Sequence, residues 1–423
     1  MTPRQRVESA LAHQQPDRVP VDLGSTAVTG MHISVVAQLR EALGLGLDPV
    51  KVIEPYQMLG EIDDRLKDAL GIDTIGVFTR TNLFGFENNG WKPWRAPWGQ
   101  EMLVPAGFVT SSAPDGSLLM HPCGDRDAPP SAHLPTGGYF WDTIVRQQPI
   151  DEDKLDPADN CEEFMPLPEA DIARFGREVD AAYATGRAVV ATFGGTALGD
   201  IALVPAPFMK RPKGIRDITE WYISTSSRQD YVHAVFRRQT DVALSNLTRI
   251  HAAIGNKVSA VFLCGTDFGT QRGPMCSVRS FAHLWAPYYR ELTTWIHRHT
   301  TWKVFKHSCG GIRPFLDGFV DAGLDILNPV QCSATGMDAA ELKAGWGDRL
   351  VFWGGGIDTQ QVLPFGTPEE VRSQVRERLR IFAPGGGFVF NPVHNIQART
   401  PVANVMAMFE ALQAAPEKAR CRG

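Results

Sequence analysis

His307 and Cys309 stand two residues apart at the end of the apolar run Trp302-Lys303-Val304-Phe305-Lys306. That run reads as a buried strand, and residues two apart on a strand share a face. An imidazole nitrogen and a thiolate then project from one strand end toward one point. Such a pair suits a borderline-soft ion such as Zn²⁺. A catalytic zinc site usually has three protein ligands and one open position. Two residues offer the third: His394 at the end of the last strand, or Cys332 past a neighbouring strand. Without a metal, the same pair reads as a buried thiol beside a hydrogen-bonded core imidazole.

Polar residues follow other apolar runs in the same way. Asp267 and Gln271 come after the run 258–263, Gln331 and Cys332 after 325–328, Asp358 and Gln360 after 350–353, and His394 and Asn395 after 388–391. A carboxylate in a closed pocket needs a partner or a metal, which singles out Asp267 and Asp358. A turn cap is the plain alternative for Asp358. Gly354-Gly355-Gly356 either admits a ligand close to the backbone or makes a tight turn. His13, His297 and His299 fall at helix ends, where the dipole alone favours them. Cys123, Cys161, Cys264, Cys276 and Cys421 are read as structural or incidental.

The elements that must position these residues alternate regularly. Thr2-Pro3-Arg4-Gln5 combines an N-cap, a Pro at the first helical position and a capping-box Gln, so a helix is predicted over 3–13. Helical patterns follow near 34–43 and 57–70, then a strand at 73–78. From residue 168 onward, helices at 168–184, 216–225, 229–253, 279–299, 311–322, 338–345, 367–382 and 401–413 alternate with short apolar strands. Those strands, near 188–193, 258–263, 302–307, 325–328, 350–353 and 388–391, have the composition of a parallel sheet covered by helices. An eighth is expected near Val19–Leu23 or Ala202–Val204. The pattern predicts an α/β fold, a TIM-like (β/α)8 barrel, with 1–423 forming one domain. Catalytic residues in such a barrel sit just past the carboxyl ends of its strands. Residues 80–165 break the rhythm. They are rich in Gly, Pro and Trp, with Trp91, Trp94 and Trp98 close together, and read as an irregular β-hairpin excursion or lid.

The chain has 423 residues, 43% hydrophobic and 21% charged, with 42 basic and 47 acidic residues and a net charge of −5. Basic residues are scattered, so nucleic acid and anionic membrane are not expected partners. No stretch approaches a membrane span. Seven cysteines, odd in number and widely spread, do not suggest a disulfide framework, and a cytoplasmic location is expected.

These motifs together resemble the uroporphyrinogen decarboxylase superfamily. The resemblance rests on Gly265-Thr266-Asp267-Phe268-Gly269-Thr270-Gln271, His307-Ser308-Cys309-Gly310, Asn328-Pro329-Val330-Gln331, Phe352-Trp353-Gly354-Gly355-Gly356-Ile357-Asp358 and His394-Asn395-Ile396-Gln397. Arg18-Val19-Pro20-Val21-Asp22 is similar as well. The resemblance implies a TIM-like barrel and offers two branches. One decarboxylates uroporphyrinogen without a cofactor. The other comprises zinc methyltransferases that exchange methyl groups with a corrinoid protein.

The second branch holds zinc with a His-x-Cys pair and a Cys at the end of the last strand. His307 and Cys309 match the pair, while His394 stands at the third position, as it does in the decarboxylase branch. The resemblance therefore implies metal ligands His307, Cys309 and His394, with Asp267 as an orienting or proton-handling carboxylate. Gln271, Gln331, Asp358, Gln360 and Asn395 are expected to line the substrate site. The expected partners are a corrinoid protein and a small methyl donor or acceptor, with a homodimer as a further expectation. A cofactor-free carboxy-lyase and a non-catalytic binding barrel are the alternatives.

Overall fold

The computed structural model describes residues 1–193 and 196–414. Seven parallel strands form one sheet: β1 (Thr74–Val77), β2 (Ala188–Ala191), β3 (Ala260–Cys264), β4 (Lys303–His307), β5 (Ile326–Asn328), β6 (Val351–Trp353) and β7 (Phe388–Val389). Each strand pairs with its neighbours in chain order, as short helical crossovers favour. The segment Pro20–Asp22 closes the ring. Phe390 N–H donates to the Pro20 carbonyl at 2.8 Å, Asp22 N–H to Phe390 at 2.9 Å, and Asp73 N–H to Val21 at 2.8 Å. The sheet is thereby a closed TIM-like barrel. Of the two expected eighth strands, the one near Val19–Leu23 does the closing. Ala202–Val204 lies in turns instead.

Alternation along the strands fills the barrel. Ala188, Val190, Ala260, Phe305, Ile326, Val351, Trp353 and Val389 form one buried cluster, joined by Val7, Ala10 and Leu11 of the N-terminal helix. That helix, Pro3–Leu11, carries the expected capping box and Pro. It plugs the end of the barrel where the strands begin. Phe305 and Trp353 pack edge to face at 5.3 Å between centroids inside it, a favourable geometry for aromatic pairs. The same period of two carries His307 inward above Phe305, and Asn328 inward above Ile326.

Two predicted helices change form. The helix expected at 57–70 begins only at Asp64, under an Asp63 cap. Ahead of it, Leu59–Gly60 pairs antiparallel with Val52–Glu54, because the apolar side chains there pack as a hairpin. The helix expected at 279–299 is broken at Trp285 into Val278–Leu284 and Ala286–His299. Pro287 enters near the start of the second piece, where its missing N–H costs nothing.

The excursion holds a hairpin, Lys92–Arg95 with Glu101–Val104, and a four-stranded antiparallel sheet between Thr110 and Thr143. Its tryptophans serve packing: Trp94 lies 5.0 Å from Phe108 and Trp98 lies 5.1 Å from Tyr139, centroid to centroid. Arg146 donates to the carbonyls of Ala206 and Met209, both at 2.6 Å. This ties the excursion to the loop that follows β2. No helix among the described residues is long and apolar enough to cross a membrane.

Candidate metal and substrate site

β4 ends on His307, which is buried, and the chain then turns so that Cys309 returns to the same centre. The turn needs Gly310. Its φ is +88°, and a Cβ there would lie 2.4 Å from the Gly269 carbonyl carbon. Cys309 Sγ sits 3.3 Å from His307 Nε2. His394, arriving past β7, places its ring 5.6 Å from that of His307. One donor atom from each of His307, Cys309 and His394 lies within 4.8 Å of the others.

The donor set fits a divalent ion. Asn328 Oδ1 lies 2.6 Å from His307 Nδ1, and Asn328 Nδ2 is itself spent on the Trp353 carbonyl at 2.8 Å. Asn328 therefore presents an oxygen, accepts from His307 Nδ1–H and leaves the His307 Nε2 lone pair free. Burial lowers the pKa of both imidazoles to about 4, with the His307 charge a second cause at His394. They are neutral donors over the whole neutral range. The thiol behaves oppositely: burial, then the Asp267 carboxylate, holds its pKa well above the usual value.

These shifts have a testable sign. His32, which is buried and bound to Ser34 and the Tyr139 carbonyl, is also lowered to about 4 from 6.5. With His32, His307 and His394 all lowered, the unfolded chain binds more protons than the folded one between 6.5 and about 4. Their contribution is fully present above that window and lost as pH falls through it. The urea midpoint of metal-free protein is expected to drop between about pH 7 and about pH 5, and to drop less in His394→Ala. The buried carboxyls of Asp200 and Glu54, raised to about 6 and about 7, act with the opposite sign over the same window. The comparison with His394→Ala therefore decides: the same drop in both proteins would contradict the neutral state of the His394 ring.

Supporting groups crowd beneath the cluster. Asp267 accepts the Cys309 amide at 2.7 Å, and burial raises its pKa. Asp200 accepts from Gly265 N and Ala202 N, each at 3.0 Å. Its pKa is raised to about 6 by burial and, among other causes, by the charge of Asp267. Lys306 is fully buried and donates to the Thr266 carbonyl at 2.6 Å and to the His307 carbonyl. It pins the two loops that carry Asp267 and Cys309. Neither Asp200 nor Lys306 stood out in the sequence. Asp200 stands just before Ala202–Val204, one of the two segments considered for the eighth strand, and Lys306 is one of two lysines in the apolar run 302–306. An inward-outward reading of β4 would have placed Lys306 on the helix-covered face, where a lysine needs partners.

The expected substrate-lining residues divide. Gln331 accepts the Gly310 amide at 2.7 Å and so braces the Cys309 turn. Gln271 and Gln360 are exposed and meet each other at 3.0 Å on the rim. Asp358 caps its own turn, accepting from Gln360 N at 2.6 Å and Gln361 N at 3.0 Å. Asn395 has its whole amide engaged: Gly30 N donates to it at 2.5 Å, and it donates to Ala27 O and Gln57 Oε1 at 2.8 Å. It latches the last strand's loop onto the N-terminal segment. Cys332 lies apart from the His-Cys-His group, in a cavity of about 210 Å³ with Ser333, Gly355, Asp358, Gln374, Arg378 and Val393. Cys421 falls outside the described residues.

Comparison with known proteins agrees with this architecture. The family model for uroporphyrinogen decarboxylase (URO-D) matches residues 201–415. The uroporphyrinogen decarboxylase of Psychromonas ingrahamii is 33% identical over 93 residues, 21% of this chain and 25% of that protein. That of Coxiella burnetii (strain RSA 493 / Nine Mile phase I) is 30% identical over 86 residues, 19% of this chain and 23% of that protein. The match thus spans about a quarter of the length of these curated relatives. Among solved structures, a methyltransferase from Methanosarcina mazei shares the fold with a TM-score of 0.52 over 98% of both chains, at 14% identity.

Proposed function

The chain belongs to the uroporphyrinogen decarboxylase family, and on that premise we propose that it is a zinc-dependent methyltransferase working between a small substrate and a corrinoid carried by a separate protein. The observation that carries this reading is the convergence of His307, Cys309 and His394 within 4.8 Å at the barrel mouth. A decarboxylation that needs no metal has no use for a thiol beside two neutral imidazoles. The fold shared with a methyltransferase over the full length supports the same branch.

Zinc held by these three donors would supply Lewis acidity and an open fourth position, lowering the pKa of a substrate thiol or polarising a methylated heteroatom. The chain's own residues prepare that chemistry. Asn328 fixes the His307 tautomer, and Gln331 and Asp267 hold the Cys309–Gly310 backbone. Asp267, half-buried beside the cluster and raised in pKa, is placed to take or return a proton as the substrate heteroatom changes charge. The exposed Gln271–Gln360 bridge is a rim contact for an incoming partner.

Cys309 must give up its proton when a metal binds, whereas His307 and His394 carry none to lose at neutral pH. Zinc uptake near pH 7 is therefore expected to release about one proton per chain, read with an indicator dye in weak buffer. Cys309→Ala should release none. Release of more than about two, beyond the thiol proton and one from a metal-bound water, would mean that the imidazoles start out protonated, contrary to their burial.

The curated relatives favour one second reading, a carboxy-lyase in the same barrel. Incubation with a methylated corrinoid protein and a thiol acceptor, followed by the cobalt absorption spectrum, separates the two. Zinc-dependent loss of the methyl-cobalt spectrum supports methyl transfer. Turnover of a polycarboxylate by metal-stripped protein, with no corrinoid change, supports the lyase.

A further inference from the structure

A second histidine pair lies on the outer helical layer, remote in sequence from the cluster above. His233 is on the helix Gln229–Ile254 and His283 on the helix Val278–Leu284. Their Nε2 atoms are 3.3 Å apart. The ring planes stand at 82° and the centroids are only 4.8 Å apart. At that centroid separation the two Nε2 atoms meet off the head-on line that a good hydrogen bond prefers. A tetrahedral ion with metal–nitrogen bonds of roughly 2.0–2.1 Å holds two ligand nitrogens about 3.3–3.4 Å apart.

Tyr288 sets the chemistry of the pair. Its hydroxyl donates to the His233 carbonyl at 3.1 Å, so its oxygen accepts from His233 Nδ1 at 2.8 Å. The proton then sits on Nδ1, and Nε2 keeps its lone pair. A fixed second-shell partner of this kind is what an imidazole ligand ordinarily has. Asp230, one helical turn earlier, adds negative charge near His233. His283 is exposed and His233 half-buried, so an ion can reach them from solvent.

We propose that His233 and His283 form a second divalent-metal site, for a zinc-like ion, with water completing its coordination. Two neutral nitrogens bind more weakly than a cluster containing a thiolate, so this site fills second. Its place suggests its effect. The helix Val278–Leu284 follows the hairpin Gly269–Thr270 with Gly273–Pro274, which continues the loop bearing Asp267. An ion clipping that helix to Gln229–Ile254 braces that loop from outside.

The test uses full-length protein, stripped by chelator and titrated with Co²⁺ as the probe. Wild type is expected to take up about two equivalents, one giving a thiolate-to-cobalt absorption band and one lacking it. Cys309→Ala, combined here and below with His394→Ala so that a single donor is left at the first site, should keep only the second. Adding His283→Ala should then weaken that binding by at least about 10-fold, and Tyr288→Phe in the Cys309→Ala background should weaken it about 10-fold. His283→Gln, which keeps a polar exposed side chain, guards against a folding artefact. Equal cobalt uptake by Cys309→Ala with and without either His283 change would overturn the proposal. Because the readout is made without Cys309, it stands or falls apart from the methyltransferase reading.

Discussion

Asp73→Ala is expected to destabilise the protein by about 3–5 kcal/mol, the cost of stranding a buried charge. Asp73 is completely buried at the seam where the barrel closes. Its carboxylate accepts from Arg6 at 2.6 Å, from Arg18 at 2.7 and 2.9 Å, and from Val21 N at 2.9 Å. Removing it leaves Arg6, whose side chain is 9% exposed, with only Asp17 as an ion-pair partner. It also takes away the acceptor of Val21 N, leaving the backbone bond from residue 73 to the Val21 carbonyl as the tie to the closing segment. Arg18 is 40% exposed on its side chain, so Arg18→Ala should cost clearly less, since water can replace part of what is lost. Urea unfolding followed by far-UV circular dichroism measures both. A loss below about 1 kcal/mol for Asp73→Ala would show that the seam does not depend on this carboxylate.

Cys309→Ala should abolish zinc retention and reduce methyl transfer by more than about 100-fold, beyond the 10–100-fold usual for losing a supporting partner. The thiolate is the only anionic donor in the group, and its removal leaves two neutral imidazoles. His394→Ala removes one neutral donor and should lose metal as well, with activity recovered in part at high zinc. Asn328→Ala belongs to the milder class. It leaves all three donors but frees the His307 ring, so metal affinity should fall about 10–100-fold. A Cys309→Ala protein that retains both zinc and near-normal turnover would exclude the thiol from the site.

The pair His307 and Cys309 was legible because its two-residue spacing is local, although the strand stops at His307 and the turn at Gly310, rather than the strand's period, brings Cys309 back. The barrel was legible for a related reason, since each short apolar run needs a covering helix. The closing segment at Pro20–Asp22 was only one of two options. Its pairing with Phe390 joins residues far apart in the chain, and such pairing leaves no local periodicity. Long-range partners explain the other differences. Asn395 was read as a ligand contact because it follows a strand, but its amide is consumed by Gly30, Ala27 and Gln57. Asp200 and Lys306 acquire their place only when the loops after β2, β3 and β4 come together. Between His394 and Cys332 the sequence alone had no means to choose. The ring closure that returns the last strand beside β4 brings His394 to the pair, while Cys332 turns into its own cavity.

The most direct measurement is the zinc content of purified full-length protein, with wild type beside Cys309→Ala and His394→Ala, after removal of loosely held metal. The expected result is about one tightly held zinc per wild-type chain, absent from both variants. No tightly held zinc in well-folded wild type, even after incubation with the metal, would contradict the His307–Cys309–His394 site and the methyltransferase reading with it.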